Sequence, residues 1–202
     1  MQDEQKVILF IDYQNTYQCA RKIFFPCPDN FIQGQYDPLA MGKLICSRTS
    51  AKFPRTLKEV RVYSGQPDGH KNPKGYGATQ KQFNVWIKKG IVVIPRPLRY
   101  PPDWPKSKAE EKGIDVQLAI DFISLAMDKK FDVGIIASTD TDLMPAIDFV
   151  FERYHNYPRA EVTAWRGPGQ NRQLYSEKFK LWCHKLNKAD YNSIADHTDY
   201  TK

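Results

Sequence analysis

The chain has 202 residues and a formal net charge of +7, from 30 lysines and arginines against 23 aspartates and glutamates. Hydrophobic residues make up 41% and aromatics 13%, enough to bury a core at this length, which excludes disordered, collagenous and coiled-coil readings. The charge is uneven: residues 43–112 hold 16 basic and 5 acidic side chains, whereas residues 113–151 hold 2 and 7, so a basic block adjoins an acidic one.

No apolar run approaches the ~20 residues that cross a bilayer, and the N-terminal MQDEQK lacks the charged-then-apolar layout of a signal peptide. A soluble, cytoplasmic protein without a membrane partner is expected. Cys19, Cys27, Cys46 and Cys183 form no C-x-x-C pair and no zinc spacing, and are read as reduced thiols that mostly fill the core.

Short β-branched runs alternate with helical patterns. The run from Lys6 to Asp12 (KVILFID) is apolar until its final carboxylate, as in a strand buried on both faces of a parallel sheet. Similar runs follow at Val60–Ser64, Ile91–Pro95, Val133–Ser138 and Ala160–Trp165. Helical patterns lie near residues 13–24, 39–50, 77–89, 114–130 and 142–153. This alternation implies an α/β fold with a mostly parallel sheet and right-handed crossovers. A main domain over 1–170 is expected, with 171–202 as a helical or irregular extension packed on it.

In such sheets ligands bind beyond the carboxyl ends of the strands, where strand order reverses. Three acidic signals map to that edge: Asp12 with Asn15, Asp115 at the start of a long helix, and the Ser138–Asp142 stretch (STDTD) leaving a strand. At ~100° per residue, Asp115 shares a helix face with Ala119, Phe122 and Ala126, whereas Gln117, Asp121, Ser124 and Asp128 form a polar stripe expected to face water. Converging carboxylates repel one another unless protons or cations neutralise them. Hard divalent ions answer that need, and two of them can stabilise both oxygens of a phosphoryl displacement. Each acid also has an ordinary reading. Asp12 can simply end its strand, Ser138, Thr139 or Asp140 can cap the next helix, and Asp115 and Asp142 can be first-turn acids favoured by the helix dipole.

Three segments, VILFIDYQN at 7–15, KGIDVQLAID at 112–121 and STDTDLMP at 138–145, together resemble the NYN domain, a branch of the PIN-like nuclease superfamily that includes LabA-type bacterial proteins. The resemblance spans about residues 6–166 and implies a three-layer α/β/α fold with a parallel sheet of about five strands in the order 3-2-1-4-5. It further implies that Asp12, Asp115, Asp140 and Asp142 carry Mg²⁺ or Mn²⁺, that Asn15 assists near the nucleophile or phosphate, and that Ser138 supports the strand-end turn. By the same resemblance the activity is that of a metal-dependent endoribonuclease, with a catalytically weak nucleic-acid-binding module as the alternative. Haloacid-dehalogenase-like and Toprim sites are disfavoured by Tyr13 and Gln14 after Asp12 and by an aspartate in the first motif, and no nucleotide-binding glycine pattern is present.

The loops after the second and third strands bring His70, Lys71, Lys74, Arg96, Arg99, Lys106, Lys108 and Lys112, interleaved with Tyr76, Tyr100 and Trp104. Cations pair with phosphates and aromatic planes stack on unpaired bases, so RNA or another single-stranded nucleic acid is the expected partner. Arg166 and Arg172 would extend this surface from the far side. The oligomeric state stays open, and a homodimer is compatible with the sequence.

Overall fold

A computed structural model describes residues 4–48, 54–155, 157–170 and 172–202. The chain runs β1 (Gln5–Asp12), α1 (Tyr13–Phe24), α2 (Pro38–Ser47), β2 (Arg55–Gln66), α3 (Pro73–Lys88), β3 (Val92–Pro97), α4 (Ile114–Met127), β4 (Val133–Ala137), a 3-10 turn (Thr141–Leu143), α5 (Met144–Tyr154), β5 (Arg159–Trp165), β6 (Trp182–Leu186) and α6 (Lys188–Ile194). The strands form one sheet in the order β3-β2-β1-β4-β5-β6, parallel at every pairing. The expected order 3-2-1-4-5 is present, extended by a sixth strand. The five expected strands and the five expected helices are found, with β2 reaching well beyond its expected ends; residues 49–50 of the second expected helix lie outside the described residues.

The central strand β1 explains the layering. Val7, Leu9 and Ile11 point into one core with Tyr13, Tyr36, Met41, Trp86 and Trp165. Ile8 and Phe10 point into a second core with Leu118, Phe122, Phe131 and Ile147. Successive strand side chains alternate sides, so a strand covered on both faces reads as an unbroken apolar run. Gly134 of β4 admits the second core's aromatics: a Cβ there would lie 2.6 Å from Phe122 Cε2. Phe122 in turn packs edge-on to Phe10 at 5.2 Å.

From Leu174 onward the chain holds an irregular stretch, a strand and the short helix α6. It crosses the second core without a helix, stacking Phe179 on Phe151 at 3.7 Å, and enters the sheet as β6 beside β5. Its sequence, WCHKL, is half polar and carries little strand signal. A buried ion pair fastens it: Glu161 of β5 accepts two hydrogen bonds from Arg55 of β2, at 2.8 and 2.7 Å, and lies 2.7 Å from His184 Nε2 of β6. Among the described residues the four cysteines form no disulfide; Cys19, Cys46 and Cys183 are half-buried and Cys27 is exposed.

Burial alone would push the Glu161 carboxyl up, but the bonds from His184 and Arg55 overcome this and hold it at about 2. Its contribution to stability is therefore complete above the ordinary value of 4.5 and lost as pH falls through 2. Replacing it leaves Arg55 buried and unpaired. Glu161→Leu is expected to cost about 3–5 kcal/mol at neutral pH, with a weaker acid dependence than wild type, as read by urea unfolding at a series of pH values.

Candidate metal and nucleic-acid site

Asp12 ends β1 and caps α1, its Oδ1 accepting from the backbone N–H of Asn15 at 3.2 Å. The β1–β4 register pairs Ile11 with Ala137, which sets Asp12 beside Ser138 at the point where the connections diverge to opposite sides of the sheet. Ser138 Oγ donates to Asp12 Oδ2 at 3.2 Å and accepts from the N–H of Asp140 at 3.1 Å. Asp140 caps the following turn by accepting from the N–H of Asp142 at 3.1 Å. Asn15 Oδ1 takes the N–H and hydroxyl of Thr139, at 3.0 and 3.1 Å, which leaves its NH₂ available as a donor. Four of the six residues singled out from the sequence, Asp12, Asn15, Ser138 and Asp140, thus lie together around two adjacent strand ends, and the backbone of Asp142 joins them.

Asp115 stands differently. It lies in the first turn of α4, partly exposed, and makes no hydrogen bond to the other acids among the described residues. The buried stripe of α4 runs through Ile114, Leu118, Phe122 and Ala126, so Asp115 sits at its margin and not on it. Gly113 sets this start: its φ of 74° is left-handed and it caps α4 without a side chain. Asp121 does not face water as expected from the helical pattern. It pairs with Arg61 at 3.0 Å and accepts from Tyr63 Oη and Gln117 Nε2, each at 2.9 Å.

One acid is absent from the sequence reading. The loop after β3 closes on itself through paired backbone bonds between Arg99 and Glu110, at 2.8 and 2.9 Å. Its next residue, Glu111, then reaches across to accept the N–H of Gly65. Glu111 and Asp140 both repel the charge of Asp12. Burial first, then these two neighbours, push the Asp12 carboxyl up to about 7 against the bonds from Asn15 and Ser138. Burial likewise raises Glu111. The Glu110–Glu111 pair just ahead of the KGID segment was the available signal, but its orientation depends on the distant partner Arg99.

Could these residues hold a divalent cation? Among the described residues no three His, Cys, Asp or Glu side chains are grouped closely enough to enclose one. Mg²⁺, however, is commonly bound through one or two carboxylates with waters and substrate phosphates completing the shell. Asp12 with Asp140 supplies hard oxygen donors, and a carboxylate that burial and repulsion keep near neutrality gains from a nearby positive charge. The donor chemistry fits.

The basic block divides in two. Arg48, Arg55, Arg61 and Lys89 are ion-paired with acids and belong to the frame. Lys71, Lys74, Arg99, Lys106, Lys108 and Lys112 are exposed and form no ion pair among the described residues. Lys71 Nζ lies 4.8 Å above the Tyr100 ring, and Tyr100 meets Trp104 edge-on at 4.8 Å, so the two loops join. Tyr76 and His70 are exposed nearby. Arg96 is partly buried and donates to Gln117 at 3.2 Å. Arg166 and Arg172 line a separate small cleft with Lys185.

The family model of the NYN domain matches residues 6–157. A solved structure of a protein of unknown function from Vibrio parahaemolyticus is similar, with a TM-score of 0.50 at 18% sequence identity, covering 82% of this chain and 84% of that one. At that identity the likeness concerns the fold. No curated protein matches.

For Asp12, the neutral carboxyl is the form that folding favours. Its stabilising effect is complete below the ordinary value of 3.8 and is lost as pH rises through 7. In EDTA at pH 8, Asp12→Asn is expected to unfold at a higher temperature than wild type, by up to about 4 kcal/mol of stability. Thermal melts should show this gap narrowing as pH falls toward 4 and, for a cation-binding site, when Mn²⁺ is added.

Proposed function

Because the chain belongs to the NYN domain family, a branch of the PIN-like nuclease superfamily, we propose that it is a metal-dependent endoribonuclease acting on single-stranded or structured RNA. The observation that carries this reading is Asp12: a buried carboxylate at the topological switch point, crowded by Glu111 and Asp140. Asp12, Asp140, Asp142 and Asp115 would hold Mg²⁺ or Mn²⁺. The cation would neutralise the phosphodiester and activate a water for attack on phosphorus.

The chain's own residues supply the rest. The Asn15 NH₂, free of the bonds that fix its oxygen, would donate to a phosphate oxygen. The Ser138 hydroxyl holds Asp12 and the Asp140 backbone in one arrangement, which orients both carboxylates without the cost of ordering them at each turnover. Glu111 joins this set as a fifth acid beside Asp12. Exposed Lys71, Lys74, Arg99, Lys106, Lys108 and Lys112, with Arg96 and Arg166 flanking, would counter the repulsion that an acidic crevice exerts on a polyanion, while Tyr100 and Trp104 offer stacking surface. A cytoplasmic setting agrees with this substrate, and no helix among the described residues is long and apolar enough to cross a membrane.

The test is cleavage of a labelled single-stranded RNA in Mn²⁺. Asp12→Asn and Asp140→Asn are expected to lose roughly 10²-fold or more in rate while still binding the RNA. Equal, negligible cleavage by wild type and variants, with binding intact, would contradict the enzyme reading and favour a binding module. In the same assay, Lys106→Ala and Lys108→Ala should each weaken RNA binding and lower the slope of log K against log salt by about 0.7–0.9.

A further inference from the structure

A cavity of about 430 Å³ opens beside Asp12 and is left unused by the reading above. Tyr13, the next residue in the chain, and Glu111, the acid that crowds Asp12, both line it. Its size falls in the range of about 300–1,000 Å³ typical of small-ligand sites. Among the described residues Glu111 is the one charged residue lining it, and no lysine or arginine contributes. A phosphate is therefore better placed outside, on the exposed cations, and the cavity suits a flat group that donates hydrogen bonds.

Glu111 supplies the acceptor. Its side chain lies across the end of β2, where a Cβ on Gly65 would come within 2.6 Å of its Oε1 and 2.8 Å of its Cγ, and Gly65 itself lines the cavity. Oε1 accepts the N–H of Gly65, which anchors the carboxylate. Oε2 makes no hydrogen bond among the described residues and is not one of the buried polar atoms left without a partner, so solvent reaches it. A carboxylate offers about four acceptor positions, and a single one is taken. Phe31 supplies a stacking surface: it is 44% exposed and lines the cavity with Tyr17. The loop that carries it is pinned, since Tyr17 Oη donates to its carbonyl at 2.7 Å and Arg21 Nη1 donates to that of Gln33 at 2.9 Å.

We propose that this cavity receives one unpaired guanine of the strand whose backbone lies at Asp12, its N1–H and 2-amino group donating to the carboxylate of Glu111. An ionised carboxylate accepts and never donates, and guanine is the one standard base with two donors side by side on its pairing edge. Adenine and cytosine each offer an amine beside a ring nitrogen that accepts, and the single N–H of uracil lies between two carbonyl oxygens; a carboxylate repels those neighbours. Splaying a base out of a single strand, stacking it on an aromatic ring and bonding its pairing edge is how proteins commonly read RNA sequence. The inference rests on the proposed site for single-stranded nucleic acid, and on binding alone, not on cleavage.

Fluorescein-labelled hexauridylate and its variants with one central guanosine, inosine or adenosine, titrated by anisotropy in EDTA, test it without turnover. Wild type should bind the guanosine hexamer about tenfold more tightly than hexauridylate. The inosine hexamer, which lacks the 2-amino group, and the adenosine hexamer, which stacks as well but offers one donor beside an acceptor, should each gain no more than about threefold. Glu111→Gln can keep the Gly65 bond through its amide oxygen and should level guanosine with adenosine. Should Glu111→Gln fail to show a cooperative melt, Ala78→Trp, which fills the cavity from α3, is expected to abolish the preference in its place. A guanosine hexamer bound no more tightly than the inosine or adenosine one, a preference that survives both substitutions, or no binding to any hexamer would overturn the proposal. A guanosine preference alongside failed cleavage in Mn²⁺ supports this subsite while refuting the nuclease reading. Cleavage without that preference does the reverse.

Discussion

Asp12 is held in a position that a carboxylate in water would not choose. It sits at the end of the central strand, 6% exposed, with its oxygens bonded to the backbone of Asn15 and the hydroxyl of Ser138. The sheet order places it there: β1 is flanked by β2 and β4, and its two neighbours carry their connections to opposite faces. A crevice therefore opens at its carboxyl end, and the residues leaving β1 and β4 line it. The strands are covered on both faces by two independent cores, so the frame holds these ends rigidly. Repulsion from Glu111 and Asp140 is the cost of the arrangement, and it creates the demand for a positive charge.

That demand organises the surroundings. The loop after β3, zipped through Arg99 and Glu110, folds over the ends of β2 and β3. One residue of it, Glu111, adds negative charge inside, while Lys106, Lys108 and Lys112 add positive charge outside. The net charge of +7 hides this partition. It also hides that part of the basic block is structural, since Arg55 secures β6 through Glu161 and Arg61 secures Asp121.

Much of this was legible in the residues. The apolar run ending at Asp12, the STDTD turn and the strand–helix alternation lie in contiguous segments whose local pattern determines their form, and these are the elements the structure reproduces. What escaped depends on distant partners. WCHKL becomes a strand because β5 offers an open edge and Glu161 offers His184 a bond. Asp121 turns inward because Arg61 and Tyr63, 60 and 58 positions away, meet it there. Glu111 is aimed by the backbone pairing of Glu110 with Arg99. The role of Asp115 rests on resemblance, since the helix that carries it presents a different face to the core than the spacing implied.

The central claim is that the Asp12 crevice exists to bind a divalent cation, and crystals soaked in Mn²⁺ test it most directly. The account predicts an anomalous peak about 2.0–2.2 Å from carboxylate oxygens of both Asp12 and Asp140. Strong Mn²⁺ peaks elsewhere on the protein, with none at Asp12, would contradict it.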